Sequence, residues 1–478
     1  MPQVTLNNFG GLNTKSNPLL KTDGALFTCV NLISDPIGAK TKRPGIELFL
    51  NNLGTYQIEN IFEFNSGTNH YLYAMCGSVL NYYNVNNPGT AWTPATYGTF
   101  TGGGRLGQTT LYDTMICGNG IGSTRWTQNG TSFNEATLSP FARYFTNLYG
   151  RVYAGNNTTL FWSSANSATD WSTAGSSDSS SIEIPGGGTI NGLFTSYSFI
   201  VASKSSGELH RWDTYTREKV PGLLAPSSAQ SLANIDDVVM YANRKGQYAF
   251  TSTGPQLISS PVEKQFYNRE NSGIPGTSFQ DMAGGEYYYN YYLSEGSVTD
   301  PITGNTLNNS ILGYHYLLNE FYNYQYPFLP TAYGQYIDSS GQSWQLLGDN
   351  NGQVYRVNGT ATSDNGTAIE AYMEGFMSFP TAPNSANMSF KDKEVRRGWV
   401  YTNPGCQAKI QFSLTNNLYE TTRKWFDPGD LSKGITYFEL PKDQNRGKFM
   451  FYRIYESSVD APWSIYGITF DYEYVGDK

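Results

Sequence analysis

Charged residues are scarce in this chain of 478 residues. Asp, Glu, Lys and Arg make up 15% of it, against about 25% in an average soluble domain. Disordered chains and coiled coils need a charge-rich, aromatic-poor composition, whereas Phe, Trp and Tyr here contribute another 15%. Both classes are therefore excluded. The net charge of −8 and the lack of a basic run also argue against a protein that binds free nucleic acid, because phosphate binding requires clustered Lys and Arg.

Cysteine and long apolar runs are few as well. The four cysteines form no C-x-x-C pair, so we expect them to be reduced and structural. No stretch reaches the roughly 18 to 20 apolar residues that span a bilayer. Residues 1–11 lack the charged start and apolar core of a secretory signal. These observations predict a soluble protein made in a cytosol, with no membrane-spanning segment.

A faint internal repeat organises the Tyr, Gly, Asn, Ser and Thr that dominate the chain. In each unit a strand ends in a small residue, a turn residue follows, and an aromatic residue comes several positions later. The small residues of five units lie 37 to 48 residues apart, at Cys76, Cys117, Ala154, Ala202 and Ala242. This period is typical of β-propeller blades. We expect six or seven blades; a large β-sandwich or barrel with chance spacing is the alternative.

The texture of the sequence changes on both sides of the repeat. Within it, Tyr287–Leu293 is expected to be one of several tyrosine-rich strands. Beyond it, Thr360–Gly366 has the composition of a polar linker, and longer, alternating strands follow. The predicted fold is all-β, with an N-terminal arm over 1–50, a propeller over 51–360 and a C-terminal β-sandwich over 361–478.

The sequence contains no recognisable catalytic motif. His70, His210 and His315 are at least 105 residues apart and belong to no catalytic motif, so we expect packing histidines. We predict no catalytic residue, no cofactor, no metal site and no enzyme activity. A propeller glycosidase, which needs two carboxylates, stays as an alternative. The sialidase-type Asp box would support it, but the closest phrase, Ser163–Trp171, lacks the central Asp and Gly.

Two further patterns have a functional and a simpler interpretation. Asp349–Gly352 and Asp364–Gly366 carry oxygen ligands near glycine, as calcium loops do, but Asn-Gly is also the preferred pair of a two-residue hairpin turn. The tyrosine-rich stretch Tyr287–Tyr292 offers stacking faces for sugars. A carbohydrate-binding or receptor-binding propeller on a tail or a cell surface is therefore a further alternative, and blade packing explains the tyrosines equally well.

Several segments resemble the tail nozzle or hub proteins of short-tailed bacteriophages. The similar residues are Asn8–Thr14, Asn17–Leu19, Gly24 and Lys42–Gly45 near the N-terminus, Arg151–Gly155, Trp162–Ala165 and Asp170–Trp171 in the repeat, and Ala408–Asn417 and Arg446–Ile454 near the C-terminus. Together these segments sample most of the chain.

The resemblance implies a structural virion protein that assembles as a ring of six copies in the phage tail. Such a ring would lie below the portal and its adaptor ring proteins, and tail fibres or a needle would attach to it. Double-stranded DNA would pass through it without sequence recognition during DNA ejection, which an acidic chain suits better than a basic one. The protein would be made in the host cytoplasm and located in the virion.

The N-terminal part of the resemblance supplies a candidate assembly and docking motif. Its residues are Gly10, Gly11, Leu12, Asn13, Thr14, Arg43, Pro44 and Gly45. The glycines permit close backbone approach, and Pro44-Gly45 is expected to fix a turn before the first blade. The simpler interpretation is an arm that only closes the propeller.

Overall fold

A computed structural model describes most of the chain as β-strands. The described residues are 2–14, 24–34, 38–67, 69–174, 177–213, 216–266, 279, 281–299, 306–377, 379, 392–417, 423–456, 458 and 463–475. Their helical segments are short: the 3-10 turns Ala229–Ser231 and Ser260–Val262, and α1 (Glu263–Phe266). Aromatic and β-branched residues favour strands, and Gly, Asn and Asp favour the turns between them. The predicted all-β class is confirmed.

The described residues among the first 48 form five strands. They are β1 (Gln3–Leu6), β2 (Leu26–Val30), β3 (Leu32–Ser34), β4 (Lys40–Lys42) and β5 (Gly45–Leu48).

Five four-stranded antiparallel sheets follow in chain order, and each is one blade of a β-propeller. Blade 1 is β6 (Ile58–Ser66), β7 (Asn69–Cys76), β8 (Val79–Asn84) and β9 (Thr93–Thr99). Blade 2 is β10 (Gly107–Leu111), β11 (Thr114–Gly118), β12 (Arg125–Thr127) and β13 (Asn134–Glu135). Blade 3 is β14 (Tyr144–Leu148), β15 (Arg151–Asn156), β16 (Thr159–Trp162) and β17 (Ser180–Glu183). Blade 4 is β18 (Ile190–Ser196), β19 (Phe199–Lys204), β20 (Leu209–Trp212) and β21 (Arg217–Val220). Blade 5 is β22 (Ala233–Ile235), β23 (Val238–Asn243), β24 (Gly246–Thr251) and β25 (Gly254–Leu257).

Two further units complete the propeller. The shared blade is β26 (Gly284–Tyr287), β27 (Asn290–Thr299), β28 (Thr306–His315) and β29 (Glu320–Gln325), which form the first half of an eight-stranded sheet. The closing blade is β30 (Ala332–Ile337), β31 (Ser343–Gly348), β32 (Val354–Asn358) and, as its fourth strand, β5. The start of the chain therefore supplies the outer strand of this blade.

These units pack against one another in a closed ring. Blades 1 and 2 are joined by the Asn60 side chain, which donates to the carbonyl of Leu106 (3.1 Å) and accepts from its N–H (2.8 Å). The closing blade meets blade 1 where the Thr331 hydroxyl donates to the carbonyl of Ile58 (2.7 Å). Six blades are small separate sheets, and the shared blade continues into a larger sheet. The predicted propeller of six or seven blades is confirmed.

The small residues of the sequence repeat share one structural position. Cys76, Cys117, Ala154, Ala202 and Ala242 are buried at or near the end of the second strand of blades 1 to 5. The closing blade has Gly348 at this position, where an added Cβ would lie 2.6 Å from the side chain of Ile58 in blade 1. The repeat therefore reflects the limited space where one blade packs against the next.

After the closing blade, the part of the chain that the structure describes contains nine strands. They are β33 (Ser363–Asp364), β34 (Thr367–Ala368), β35 (Ala371–Met377), β36 (Lys393–Thr402), β37 (Lys409–Thr415), β38 (Ile435–Glu439), β39 (Arg446–Gly447), β40 (Phe449–Glu456) and β41 (Ser464–Tyr474).

Two large sheets form the predicted C-terminal sandwich. The eight-stranded sheet has the order β26-β27-β28-β29-β2-β35-β40-β37, and the seven-stranded sheet runs β3-β4-β41-β36-β38, with β1 on β41 and β39 on β36. Phe412 of the first sheet packs on Phe438 and Phe470 of the second, with ring centroids 5.1 and 5.0 Å apart. These aromatic contacts lie in the core between the two sheets.

The N-terminal 50 residues, expected to form an arm, belong to both larger parts of the molecule. Strand β5 completes the closing blade, β2 lies between β29 and β35, and β1, β3 and β4 extend the seven-stranded sheet. Because β2 pairs with the outer strand of the shared blade, the propeller and the sandwich have one sheet in common. This pairing also covers a strand edge that would otherwise expose unpaired backbone groups.

Two local expectations need correction. Thr360–Gly366, expected to be a linker, contains β33, whose Asp364 pairs with Ile46 of β5. Its Asn365-Gly366 pair forms the predicted hairpin turn, with φ values of 47° and 86°. Tyr287–Leu293, expected to be one strand, is divided because Tyr288 and Tyr289 form the turn between β26 and β27.

Candidate functional site

The first half of the predicted docking motif lies in a seam between the shared blade and the sandwich. Leu12 and Thr14 are buried. The Leu12 N–H donates to the carbonyl of Phe321 on β29 (2.6 Å), and the Thr14 N–H donates to the carbonyl of Pro261 (2.9 Å). These backbone hydrogen bonds hold the motif against the propeller of its own chain.

The neighbouring residues of the motif are held by β2 and by the turn before it. The Gly10 N–H donates to the carbonyl of Gly24 (2.9 Å), and the Asn13 N–H donates to the carbonyl of Leu26 (2.8 Å). A Cβ added to Gly11 would lie 2.8 Å from the backbone nitrogen of Phe321. The predicted close backbone approach is thus present at Gly11. Asn17–Leu19, part of the resemblance, lies outside the described residues.

Arg43 uses all five of its N–H donors inside the protein. Nη1 donates to Asp364 Oδ1 (2.8 Å) and to the carbonyl of Pro44 (2.9 Å). Nη2 donates to Asp364 Oδ2 (2.6 Å) and to the carbonyl of Gln325 (2.7 Å), and Nε donates to Asn31 Oδ1 (2.9 Å). A fully satisfied guanidinium explains how a permanent charge is tolerated in the interior.

The environment of Arg43 also keeps it charged. Its guanidinium lies 4.0 Å from the ring centroid of Tyr326. Burial by itself lowers the pKa of Arg43, but Tyr326 and Asp364 outweigh burial, and the pKa rises above its ordinary value. Arg43 therefore joins the arm, the shared blade and the segment after the closing blade through one cation.

Two lysines just before Arg43 form buried ion pairs with other parts of the chain. Lys40 Nζ lies 3.0 Å from Glu320 Oε2 on β29 of the shared blade. Lys42 Nζ lies 2.7 Å from Glu456 Oε2 on β40 of the sandwich, and both side chains are 2% exposed. Sequence reasoning missed these pairs; the available signal was three basic residues within four positions of a charge-poor chain.

Pro44 and Gly45 do not form the expected turn. Gly45 is the first residue of β5 and pairs with Asn358. A Cβ there would lie 2.0 Å from the carbonyl oxygen of Ser363, so the glycine permits close approach of two backbones. The placement of the whole motif matches that of an arm that closes the propeller, and its docking onto another protein stays a prediction.

A polar cavity lies at the end of the propeller where the innermost strands begin. It has a volume of about 880 Å³ and is lined by the start of the first strand of every blade or by the loop before it. Arg105 Nε lies 3.3 Å from Glu59 Oε2, and its Nη2 donates to the carbonyl of Thr331 (3.3 Å). Arg143 and Asp281 also line the cavity, so its charges are balanced.

This cavity is too small for duplex DNA. Its volume equals that of a cube about 10 Å on a side, which is narrower than the major groove of B-DNA alone, roughly 12 Å wide. Within this cavity the pKa of Arg105 is lowered, because burial lowers it more than Glu59 raises it.

The three histidines lie on three different blades, in β7, β20 and β28. His70 contacts Glu63. His210 is buried, and burial lowers its pKa. His315 accepts the Leu318 N–H on Nδ1 (3.2 Å). The structure does not bring these residues together.

The carboxyl group of Glu295 is buried without a cation among the described residues. Glu295 on β27 is 1% exposed, its Oε2 accepts from the Ser310 hydroxyl (3.1 Å), and its Oε1 has no hydrogen-bond partner among the described residues. Burial raises the pKa of Glu295 to about 8, which the Ser310 hydrogen bond opposes. The group is therefore mainly protonated at neutral pH.

The predicted turn loops have structural roles. Asp349 Oδ1 accepts from the N–H groups of Asn351 (2.8 Å) and Gln353 (2.8 Å) in the hairpin between β31 and β32. Within the described ranges, no three His, Cys, Asp or Glu side chains cluster as a metal site. In Ser163–Trp171, the segment most similar to an Asp box, Trp171 is buried and its Nε1 donates to the carbonyl of Ala168 (3.0 Å). Trp171 therefore acts as a packing residue.

One turn position recurs around the other end of the propeller. In six units a two-residue loop joins the first strand to the second, and its first residue has φ between 46° and 57°. Glycine normally occupies such a position. The residues found there are Gly67, Tyr112, Tyr149, Tyr197, Asp236 and Tyr288.

The four tyrosines at this position lie on one end of the propeller and are exposed. They are 48 to 64% exposed, and a left-handed backbone costs a residue with a side chain about 1 to 2 kcal/mol. Tyr112 is further held by a hydrogen bond from its hydroxyl to Asn166 Oδ1 (2.6 Å). Strained backbone positions cluster at functional sites, and aromatic residues are enriched in protein interfaces. We name Tyr112, Tyr149, Tyr197 and Tyr288 the turn tyrosines.

Comparison with known proteins assigns neither a family nor a function to the chain. No protein-family model matches the chain, and no curated protein matches it. Among solved structures it is similar to the computationally designed Ika8 protein, at 10% identity and a TM-score of 0.39 over 65% of this chain and 99% of that one. It is also similar to YCF48, solved bound to D1 peptide, at 12% identity and a TM-score of 0.41 over 66% of this chain and 97% of that one.

The described part of the chain contains no helix of the length and apolarity that crossing a membrane demands.

Proposed function

We propose that the protein is a non-enzymatic structural subunit of a phage tail, where copies assemble as the nozzle or hub ring. The observation that carries the proposal is the row of turn tyrosines on one end of the propeller. Tyrosine supplies a large contact area with a polar tip at little entropic cost, which suits a surface that binds another protein. The resemblance of the arm and of the C-terminal segments to nozzle proteins supplies the identity of the assembly.

The arm supports this function indirectly. Lys40, Lys42 and Arg43 pair with the shared blade, the sandwich and the segment between them. Separate parts joined only by linkers would move relative to one another, whereas these buried pairs and the eight-stranded sheet make one body. A ring that transmits force between a capsid and its fibres needs such subunits.

The proposed DNA path is the opening at the centre of the ring of copies. The cavity within one propeller is too narrow, and the net charge of −8 disfavours adhesion of phosphate to the wall. In this proposal the ring, of six copies, binds adaptor proteins on one side and fibres or a needle on the other. The protein is made in the host cytoplasm and is located in the virion.

Electron microscopy and light scattering of the full-length chain test the proposal. We expect rings with an opening wide enough for duplex DNA, formed by the chain alone or on the adaptor ring of the same virion. The triple variant Tyr112→Gly, Tyr149→Gly, Tyr197→Gly should remain folded and fail to form the ring. A wild-type chain that stays monomeric with and without the adaptor contradicts the proposal, as does tight, salt-dependent binding to duplex DNA.

A further inference from the structure

A second cavity, of about 200 Å³, lies where the shared blade, the closing blade and the arm meet. Six tyrosines line it: Tyr287, Tyr288, Tyr292, Tyr322, Tyr324 and Tyr326. At roughly 30 Å³ per water molecule in the liquid, this volume corresponds to about six or seven waters. The tyrosine pocket, as we name it, therefore has room for one small ring-shaped solute and excludes a polymer.

The tyrosines form a wall with a buried and an exposed end. Tyr292, Tyr322, Tyr324 and Tyr326 are buried. Tyr288 is 57% exposed, and its ring centroid lies 4.4 Å from that of Tyr287 at an angle of 66°. Ligand sites commonly combine such aromatic walls with a few polar groups that fix the orientation of the ligand.

Gln345 on β31 carries an amide that the described part of the fold leaves without a partner. It lines the tyrosine pocket and is 4% exposed. Its side-chain amide has no hydrogen-bond partner among the described residues and is not one of the unpartnered atoms that the protein fully encloses, so it is reached from the pocket. An amide offers one acceptor oxygen and two N–H donors. A ligand with hydroxyl groups can therefore both donate to this amide and accept from it.

His315 and Glu320 add one donor and one acceptor to the pocket lining. Because His315 Nδ1 accepts the Leu318 N–H (3.2 Å), the neutral ring carries its proton on Nε2. Burial lowers the pKa of His315 more than Glu320 raises it, which favours this neutral form. Glu320 Oε2 accepts hydrogen bonds from Lys40 Nζ and from the Ser34 hydroxyl. Glu320 Oε1 has no partner among the described residues.

The charges around the pocket are balanced. Glu320 is paired with Lys40, and Arg43, which covers the ring of Tyr326, is paired with Asp364. No unpaired cation is left among the described lining residues to attract an anion. An aromatic cage for a cation needs free ring faces, but a guanidinium already occupies that of Tyr326. The pocket therefore favours a neutral ligand that carries several hydroxyl groups.

We propose that the tyrosine pocket binds one neutral sugar ring, with Gln345, His315 and Glu320 hydrogen-bonding its hydroxyls and the tyrosines contacting its C–H faces. Tyr288 belongs to both the turn tyrosines and the pocket lining, so sugar binding is tested on the unassembled chain, and ring assembly is tested with the three turn tyrosines that do not line the pocket. A terminal sugar of a surface glycan would fit the pocket, because only one ring has to enter.

Saturation-transfer NMR and calorimetry on the full-length chain test this site. The probes are free D-glucose, D-galactose, D-mannose and N-acetyl-D-glucosamine, with tetramethylammonium and inorganic phosphate as charged comparisons. We expect millimolar binding of at least one sugar and of neither ion. Gln345→Leu should weaken that binding at least about tenfold, because leucine can neither donate nor accept the hydrogen bonds of the amide. Tyr288→Gly should also weaken it.

Tyr149→Gly is the matched control, because it changes the same turn position in a blade that does not line the pocket. It should leave sugar binding unchanged. If Gln345→Leu does not fold, His315→Gln and Tyr288→Gly carry the test, since both residues are partly exposed. Absence of sugar binding, preference for either ion, or binding that none of these pocket variants weakens overturns the proposal. The oligomeric state is measured separately, so failure of one proposal does not imply failure of the other.

Discussion

Arg43 and Asp364 lie 321 positions apart in the sequence and meet in the interior as a two-pronged ion pair, with N–O distances of 2.8 and 2.6 Å. One partner precedes β5 and the other lies on β33. Together they connect the start of the chain to the segment that follows the propeller. The pair is therefore a link between the two large parts of the molecule.

Removing one partner of this pair should destabilise the fold strongly. Asp364→Ala leaves the Arg43 charge buried without its partner, and we expect a loss of about 3 to 5 kcal/mol. Denaturant unfolding measures it. Adding Arg43→Met should cost less than the sum of the single effects. Arg211→Met, in the more exposed pair Arg211–Glu218, is the control and should cost no more than about 1 kcal/mol. If Asp364→Ala and Arg211→Met lower the free energy of unfolding equally, the proposed link is contradicted.

The seam around Gly11 should not accept a methyl group. An added Cβ would lie 2.8 Å from Phe321 N and 2.9 Å from Glu320 Cβ, so Gly11→Ala forces backbone shifts that cost about 1 to 3 kcal/mol. Gly359→Ala is the control, because nothing lies within 4 Å of its added Cβ. Thermal melts of both variants check this, and a Gly11→Ala melt that matches the control means that the seam is loose.

Stability should fall as pH rises through the range set by Glu295. Its pKa is raised from 4.5 to about 8 by burial, so between these values the folded state holds a proton that the unfolded state has lost. Stability then decreases with pH, by up to about 1.4 kcal/mol per pH unit from this group. The Glu295 contribution is fully present below pH 4.5 and lost as pH rises through 8.

The variant Glu295→Gln separates this effect from other titrations. An amide cannot ionise, so the variant should lose this downward slope and gain stability relative to wild type as pH rises. Urea titrations at several pH values measure it. Parallel stability curves for wild type and variant would show that Glu295 does not titrate in this range.

The turn tyrosines should be neutral or unfavourable for stability and necessary for assembly. Tyr149→Gly removes the cost of a left-handed tyrosine but gives the unfolded chain more freedom, so we expect a gain of between about 0 and 1 kcal/mol. Melting temperature and light scattering on the same sample measure both effects. A large loss of stability would place Tyr149 in the fold rather than in a contact surface.

The cysteines should be unreactive in the folded protein. Burial raises the pKa of Cys117 to about 12 and that of Cys29 to about 11, although Arg125 and Lys40 oppose the shift. Burial also raises the pKa of Cys76 and Cys406. Because the thiolate is the reactive form, a thiol reagent at neutral pH should label these residues only on unfolding. Rapid labelling of the native chain would show that a blade opens locally.

The sequence by itself determined the elements whose pattern is local. The spacing of Cys76, Cys117, Ala154, Ala202 and Ala242 predicted the blades, because each blade repeats the same packing constraint within about 40 residues. Alternating residues predicted strands that overlap β36 and β41. The Asn365-Gly366 turn was also predicted, since Asn-Gly strongly prefers the required backbone angles.

The tertiary structure alone decided where the arm lies and which groups share a site. Nothing local in Lys40, Lys42 and Arg43 indicates that their partners are Glu320, Glu456 and Asp364, because those carboxylates come from three distant segments. Tyr288 and Tyr289 have strand-forming side chains, yet the pairing of β26 with β27 places them in a turn. Gln345 joins the tyrosine pocket only when two blades meet. Local propensity is a property of neighbouring residues, whereas burial and pairing depend on contacts that exist only in the folded chain.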